Sequence, residues 1–358
     1  MRHHPPTGER TTRRSPGPAI PVCSDNEWDP LEECVVGTAR RSMFPAEDER
    51  MIRATMPREH WHRFVAGNPF PADIVDNAER ELDGLSALLE SRGVRVRRPR
   101  PVDWTELGGY TAAMPRDGFL VVGDRIVEAP MAWRSRRDEL SAYLPLIREY
   151  RQDGATWLPS GVSHDSACLL EGTASPDGDW AINDSRPAWD AADFLRLGEG
   201  IVVGQLSHVT NRSGVEHLRE RLGPGYRVHL LEPDDPHAMH IDASLCPLTE
   251  GLALYNPDRL TPRRLRHTPL HDWRLVPAPV PKHRTWPPLY MTSPWISMNL
   301  LVLGPEHVLV EAEDDDMCAL LEELGYRPLR CPFRHVQSLG GSFHCATLDI
   351  RRRGDRPG

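Results

Sequence analysis

Lysine is nearly absent from this chain. Lys282 stands alone among 43 basic residues, the rest being arginine, a bias of coding rather than of function. A basic surplus is lacking as well: 52 acidic residues outnumber the 43 basic ones for a net charge of −9, which excludes a general nucleic-acid binder with its basic face or stripe. No run of about 18 apolar residues occurs, so no membrane-spanning helix is expected. There is no Cys-x-x-Cys pair, and the seven cysteines (23, 34, 168, 246, 318, 331, 345) are scattered and odd in number. That pattern speaks against a zinc site or a disulfide framework and for a reducing compartment, so a cytoplasmic location is expected.

What is present suffices for a sizeable core: 358 residues, 39% of them hydrophobic, make one large domain or two ordinary ones. Residues 1–22 are rich in Arg and Pro. Their prolines break any amphipathic helix of a transit peptide, so a disordered tail is expected there, followed by a single domain over 23–358.

The strongest internal signal is a repeat. FLVVGDRIVEA (119–129) reads as two short strands joined by Gly123-Asp124, followed by a charged helical pattern near 137–151 and the strand TWLP (156–159). DFLRLGEGIVVGQ (193–205) repeats the hairpin, with a helix carrying Val215, Leu218 and Leu222 that stops at Gly223, and the strand YRVHLL (226–231). SLCPLTEGLALY (244–255), a weak helix and WRLVPAP (273–279) form a further copy, and so do MNLLVLGPEHVLVEA (298–312), the helix 317–324 and YRPLRC. At the N-terminal end CVVGTA (34–39), a helix over 73–92 and VRVRRP (94–99) form a copy that lacks its first strand. ATLDI (346–350) is a strand without a hairpin and could pair with the strand near 34–38 to close a ring. Five copies of strand–strand–helix–strand, about 40 to 65 residues each, predict a closed or stacked α/β array in which neighbours bury one another's apolar faces. The polar stretch 160–189 lacks periodicity and reads as a long loop, a candidate lid; 279–289 reads as a loop as well.

Polar residues recur just ahead of the first strand of each copy. They are Asp117 in MPRD, Asp190 and Asp193 in WDAAD, His240 and Asp242 in MHIDA, Thr292 and Ser293 in MTSPW, and Cys345 in FHC. Taken singly, each has an ordinary explanation: buried cysteines are usually inert filler, and loop aspartates, serines and threonines usually cap or turn. Those explanations do not account for the same slot each time. If the copies surround one axis, these groups converge at one end of it, as a ligand site requires. A thiol nucleophile, a histidine able to shuttle a proton and a surplus of carboxylates suit a planar cation such as guanidinium. His344 adjoins Cys345, but neighbours in an extended strand point to opposite sides, so it is expected to face away from the pocket. Gly340 and Gly341 are expected to permit a tight approach to the strand.

NEWDPLEECVVGTA (26–39), AMPRDGFLVVGDRIVEAPMAWRSR (113–136), DAADFLR (190–196), MHIDA (239–243), NPDR (256–259), WISMNLLVL (295–303) and LGGSFHCATLDIRRRG (339–354) together resemble the amidinotransferases, among them glycine amidinotransferase and the inosamine-phosphate enzymes. The resemblance implies a five-bladed α/β propeller of ββαβ modules with pseudo-fivefold symmetry, the pentein fold. It implies transfer of an amidino group from L-arginine to an acceptor amine through a covalent amidino-cysteine, releasing ornithine, with no metal or organic cofactor. By motif, Cys345 takes the place of the nucleophile, His240 of the proton carrier and Asp190 of its partner. Asp117 and Asp242 fall on the aspartates that grip the guanidinium, and Arg259 on the arginine that binds the donor carboxylate. Thr292 and Ser293 match hydroxyl residues at the donor's amino-acid end, Arg136 matches a further arginine of the site, and Met239 is placed with the substrate-binding residues. The family's frequent dimers extend to this chain, by analogy, as a homodimer. The sequence departs from the pattern at Ser342, where a third glycine is usual, at His237-Ala238, where the glycine enzyme has Asn-Pro, and at His208, where glutamine is common. Together with MHIDA and WISMN, these departures point to an amino-acid-like or small amine as acceptor and to secondary metabolism in a bacterium. The alternative is a guanidine hydrolase of the arginine deiminase type, which would use water as acceptor.

Overall fold

The computed structural model describes residues 21–45, 58–163, 167–170, 180–235, 239–282, 286–289 and 293–354. Its strands form five three-stranded sheets, and each sheet has an antiparallel pair followed by a third strand parallel to the middle one. A parallel third strand cannot follow by a tight turn; it needs a crossover, and a helix supplies it. The first unit holds β1 (Leu31–Val36), α1 (Ala72–Ser91) and β2 (Arg95–Arg97). The second has β3 (Phe119–Val122), β4 (Arg125–Glu128), α2 (Leu140–Gln152) and β5 (Thr156–Leu158). The third has β6 (Phe194–Arg196), β7 (Ile201–Gln205), α3 (Arg212–Leu222) and β8 (Arg227–Leu231). The fourth has β9 (Leu245–Thr249), β10 (Leu252–Tyr255), α4 (Pro262–Leu265) and β11 (Arg274–Pro277). The fifth has β12 (Leu301–Val302), β13 (His307–Glu311), α5 (Asp315–Glu323) and β14 (Arg327–Cys331). β15 (Thr347–Arg352) then pairs antiparallel with β1, Thr347 opposite Val36 and Leu348 opposite Val35. The last strand thus supplies what the first unit lacks, as its sequence suggested.

Local chemistry explains the helices. In α1, Ile74, Ala78, Leu82, Leu85 and Leu89 recur at helical spacing and are buried on one face. Asn211 caps α3 by accepting from the Gly214 N–H, and Asp314 caps α5 by accepting from the Met317 N–H. α4 is a single turn in a Pro- and Arg-rich segment with one buried residue, Leu265.

The apolar faces close between units rather than within them. Leu348 and Ile350 share a cluster with Phe119 and Ile126 of the second unit and Val202 of the third. Leu195 and Val203 meet Leu245 and Ala253; Leu248 and Leu254 meet Val308 and Leu321; Leu301 and Leu309 meet Leu82 and Val36. Every unit therefore needs both neighbours to bury its core.

Two expectations need correction. Val22, placed in the tail by composition, is fully buried, and Cys23 is bonded to β15 through its backbone N–H and C=O; residues 1–20 lie outside the described residues. The second concerns the chain ahead of β15. That strand begins at Thr347, and 343–346 form a turn, so the alternation argument for His344 does not apply to the local backbone.

Candidate active site

The segments that precede the first strands are short turns, and they pack in a chain. Pro115–Gly118 lies against Ala191–Asp193, which meets Ile241–Ala243, which in turn meets Pro294–Met298. Asn299 completes the circle: it accepts from the Cys345 N–H at 3.1 Å and donates from Nδ2 to Sγ at 3.1 Å. One group from each unit therefore reaches a common centre.

Cys345 sits in that centre, 2% exposed. Its thiol donates to Asp242 Oδ2 at 3.2 Å and is hydrogen-bonded to His240. The Cys345 sulfur, a ring nitrogen of His240 and a carboxylate oxygen of Asp117 all lie within 4.8 Å of one another. His240 Nε2 is 3.2 Å from Asp190 Oδ2, and Nδ1 is 3.8 Å from Asp117 Oδ1. The backbone of His240 has φ +62°, a conformation a side-chain-bearing residue adopts only when its surroundings enforce it, and one that tends to mark functional positions. Asp190 is held in turn: its N–H donates to Thr210 Oγ1, whose hydroxyl donates to Asp193 Oδ2.

Arg136 closes one wall. It donates to Asp117 Oδ2 at 2.8 Å and to Glu139 Oε2 at 3.1 Å, with Asp190 Oδ2 at 3.4 Å. Asp117 Oδ1 is buried and has no hydrogen-bond partner among the described residues. A buried carboxylate oxygen without a donor is costly, and here it borders the imidazole of His240.

The charges tell the same story. Burial, then Asp242 and Asp117, pushes the Cys345 thiol up to about 12, against the pull of His240. Burial raises Asp117 above the ordinary carboxylate range in spite of His240 and Arg136, and raises Glu139 to about 8 in spite of Arg136. For His240 burial opposes the charged ring, but Asp117, the Asp190 hydrogen bond and Cys345 outweigh it and hold the imidazole well above its usual value. The pocket carries more negative charge than its own cations balance.

The remaining expected residues are placed less centrally. Arg259 ion-pairs with Asp235 at 2.7 Å and reaches Ser244 Oγ, two residues beyond Asp242. Ser293 caps the turn Pro294–Met298 by accepting from the Trp295 N–H. Met239 lies half-buried against a small apolar cluster that includes Leu169, Ile182 and Val209, which brings part of the 160–189 stretch beside the site. Thr292 and His237 lie outside the described residues, as do 164–166 and 171–179 of that stretch. His208 is buried and accepts from the Ala181 N–H through Nδ1. The two glycines behave as expected: Gly340 has φ +100°, and a Cβ on Gly341 would lie 2.6 Å from Cys345 Cβ and from Met114 Sδ.

Sequence reasoning missed Asn299 and Glu139, and it set His344 aside. Asn299 stands two residues before β12, in the very slot that singled out the others, whereas MTSPW lies further upstream. The His344 ring has its Nδ1 2.9 Å from Asp242 Oδ2 and its Nε2 3.3 Å from Glu27 Oε2. Asp117, His240 and Cys345 offer ligand atoms at a spacing a metal ion could bridge, and the same residues are those of thiol and proton-transfer chemistry.

No protein-family model matches the chain. Similarity to individual proteins is extensive. The chain is 43% identical over 351 residues to an L-arginine:L-lysine amidinotransferase of Pseudomonas savastanoi pv. phaseolicola, covering 93% of this chain and 95% of that protein. It is 39% identical over 355 residues to the mitochondrial glycine amidinotransferase of Danio rerio, covering 93% of this chain and 83% of that protein. Among solved structures it superposes on SxtG, an amidinotransferase of the saxitoxin biosynthetic pathway from Microseira wollei, with a TM-score of 0.86, 38% identity and coverage of 93% and 98%. It also superposes on the inosamine-phosphate amidinotransferase StrB1 of Streptomyces griseus, with a TM-score of 0.83, 33% identity and coverage of 93% and 97%. A dimethylarginine dimethylaminohydrolase (DDAH) of Pseudomonas aeruginosa shares the fold alone, at a TM-score of 0.58 and 12% identity. The pocket, the pentein fold and these likenesses along nearly the whole length agree, and the chain belongs to the amidinotransferases.

Proposed function

We propose that the pocket moves the amidino group of L-arginine to an acceptor amine through a covalent adduct on Cys345. The observation that carries this reading is Asp117, whose Oδ1 accepts no hydrogen bond among the described residues and one of whose oxygens lies near the Cys345 sulfur, with Asp242 on the thiol itself. A guanidinium between these two carboxylates has a donor for each and presents its carbon to the sulfur. Its charge also solves the problem of a thiol held near 12. A positive charge about 4 Å from the sulfur contributes on the order of 4 kcal/mol at an effective dielectric of 20, enough to lower the thiol by about three pH units. The thiol's proton leaves by way of Asp242 Oδ2, which already accepts it, as the cation binds, and His240, which the surrounding acids favour in its charged form, keeps its own proton for the departing nitrogen.

The thiolate attacks the guanidinium carbon, His240 protonates the departing nitrogen, and the bond to that nitrogen breaks, releasing ornithine. The acceptor amine enters, loses a proton to His240 and attacks the amidino carbon; the C–S bond breaks and the thiolate is restored. Asp190 orients His240 through Nε2, Arg136 steadies Asp117, and Arg259 and Ser293, with Thr292 and Met239, serve the donor's amino-acid end. Water has to be kept from the adduct between the two half-reactions, and the deep burial of Cys345 supports that. The acceptor is an amino-acid-like or small amine in a bacterial biosynthetic pathway, and lysine is the first to try, because a relative 43% identical is named for it. A cytoplasmic setting agrees with cysteines that form no disulfide among the described residues.

Incubation with arginine alone tests the reading. Intact-mass analysis is expected to show one amidino group on Cys345 and one equivalent of ornithine, and a panel of amines led by lysine and glycine then discharges the adduct. Catalytic release of citrulline and ammonia from arginine would overturn transfer in favour of hydrolysis.

A further inference from the structure

The chemistry assigned to the pocket leaves His344 unused, although it is buried beside it. His344 follows Phe343 in the turn ahead of β15 and is 6% exposed. Its ring is clamped between two acids: Nδ1 faces Asp242 Oδ2 at 2.9 Å, and Nε2 faces Glu27 Oε2 at 3.3 Å. Asp242 Oδ2 is the same oxygen that accepts the Cys345 thiol at 3.2 Å. The histidine and the nucleophile, adjacent in sequence, thus hold one carboxylate oxygen from two sides.

We infer that His344 is a positioning residue for the transfer reaction: bridging Glu27 and Asp242, it fixes the Asp242 carboxylate in the orientation that receives the donor guanidinium and keeps it ionised against the thiol. The inference rests on the amidino-transfer reading and deepens it.

The surroundings support a charged ring. Burial and the nearby Arg116 oppose it, but the bonds to Asp242 and Glu27 outweigh both and raise His344 above its usual value. For Asp242, burial would raise the acid, yet His344 first and then His240 hold it below the ordinary range. The other charged groups around the ring pair with one another. Arg116 donates to the His344 carbonyl and pairs with Asp349; Arg196 pairs with Glu27 and Asp349; Arg352 pairs with Asp349. A cavity of about 10 Å3, room for one water, adjoins the ring and is lined by Glu27, Asp242, Cys246, His344 and Arg352 among others. Alanine would enlarge it and remove both ring nitrogens at once, so it is a poor probe.

Two isosteric halves of the imidazole make the better test. In His344→Asn the amide nitrogen takes the place of Nδ1 and keeps the bond to Asp242; in His344→Gln it reaches toward Glu27 and gives up Asp242. Steady-state kinetics with arginine and lysine, the pH profile of kcat/KM and thermal denaturation are measured for both. The expected result is an asymmetry: KM for arginine within about threefold of wild type in the Asn variant, and raised about tenfold to hundredfold in the Gln variant, the size of a lost charge-assisted hydrogen bond. In the Gln variant the acid limb of kcat/KM also moves to higher pH, because Asp242 then protonates more readily. If both variants fold with wild-type KM and pH profile, or if both lose only thermal stability, the inference is overturned. Should neither fold, nitrogen-15 histidine spectra of the wild type decide: protons on both ring nitrogens of His344 at pH 8 sustain it, and a neutral ring ends it. The amidino adduct on wild-type Cys345 keeps the two questions apart, since its absence removes the transfer reading whatever the variants do.

Discussion

Two buried charge clusters flank the segment that carries Cys345, and they are built from the same residue types to opposite effect. On the substrate side stand Asp117, Asp190, Asp242 and Glu139, with Arg136 as the one arginine joined to them. On the other side Arg116, Arg196 and Arg352 converge on Asp349, and Arg196 also clasps Glu27. In the second cluster the cations hold Asp349 and Glu27 well below their ordinary values in spite of burial. In the first, burial wins at Asp117 and Glu139, which sit above theirs, while His344 and His240 keep Asp242 below its own. The difference teaches what each cluster is for. A satisfied network costs several kcal/mol to break and contributes rigidity. An acid surplus in a closed pocket is tolerated only where a cation arrives to balance it. His344 is the link, with one nitrogen on Glu27 and the other on Asp242.

The comparison can be broken at five points, the first four taken from the largest effect down. Cys345→Ala is expected to lower transfer by about 10^4-fold or more while calorimetry still detects arginine binding, because the carboxylates that grip it remain. Asp349→Asn is expected to lose about 3–5 kcal/mol in urea denaturation, since it strands buried arginines. Asp117→Asn, on the pocket side, should stay within about 1 kcal/mol of wild-type stability yet lose about a hundredfold in kcat/KM for arginine; equal stability losses in the two variants would erase the contrast. Asp242→Asn removes the first charge that holds the Cys345 proton, so iodoacetamide should alkylate this thiol about tenfold faster at pH 8, even as arginine turnover falls. The fifth point is the pH dependence of folding. Glu139 is near 8 in the fold against 4.5 when free, so the folded state keeps a proton that the unfolded state gives up. Stability should therefore decline from pH 4.5 towards 8 by at most about 1.4 kcal/mol per pH unit, and Glu139→Gln should flatten that slope. The opposite cluster acts in the other direction: Asp349 and Glu27, lowered in the fold, withdraw their contribution as pH falls below about 4.

Much of this was legible in the chain. Hairpins joined by Gly123-Asp124 and Gly198–Gly200, helices ended at Gly93, Gly223 and Gly325, and a strand left over at the end gave the five units and their closure. The slot before each first strand gave Asp117, Asp190, His240, Asp242 and Cys345, because backbone position in a repeat dictates which end of the sheet a residue occupies. What the slot cannot reveal is a partner chosen across units. Asn299 shares the slot but went unnoticed beside the hydroxyls of MTSPW. Glu139 read as one charge in a helical pattern, and only the packing of α2 brings it under Arg136. His344 was assigned by strand alternation, whereas a turn precedes β15, and the acid behind its ring, Glu27, comes from the opposite end of the sequence.

The pairing of β15 with β1 has a consequence for inactivation. Each other sheet joins its antiparallel pair through a turn a few residues long, so those pairs cannot drift apart without unfolding the unit. The first sheet alone is clasped by hydrogen bonds between distant parts of the chain, and the nucleophile is anchored two residues from that clasp. A ring that springs open at this joint keeps four intact hairpins but carries Cys345 away from His240 and its aspartates. Heating should therefore silence the enzyme before it melts the protein, and a covalent staple across the joint would delay the first event more than the second.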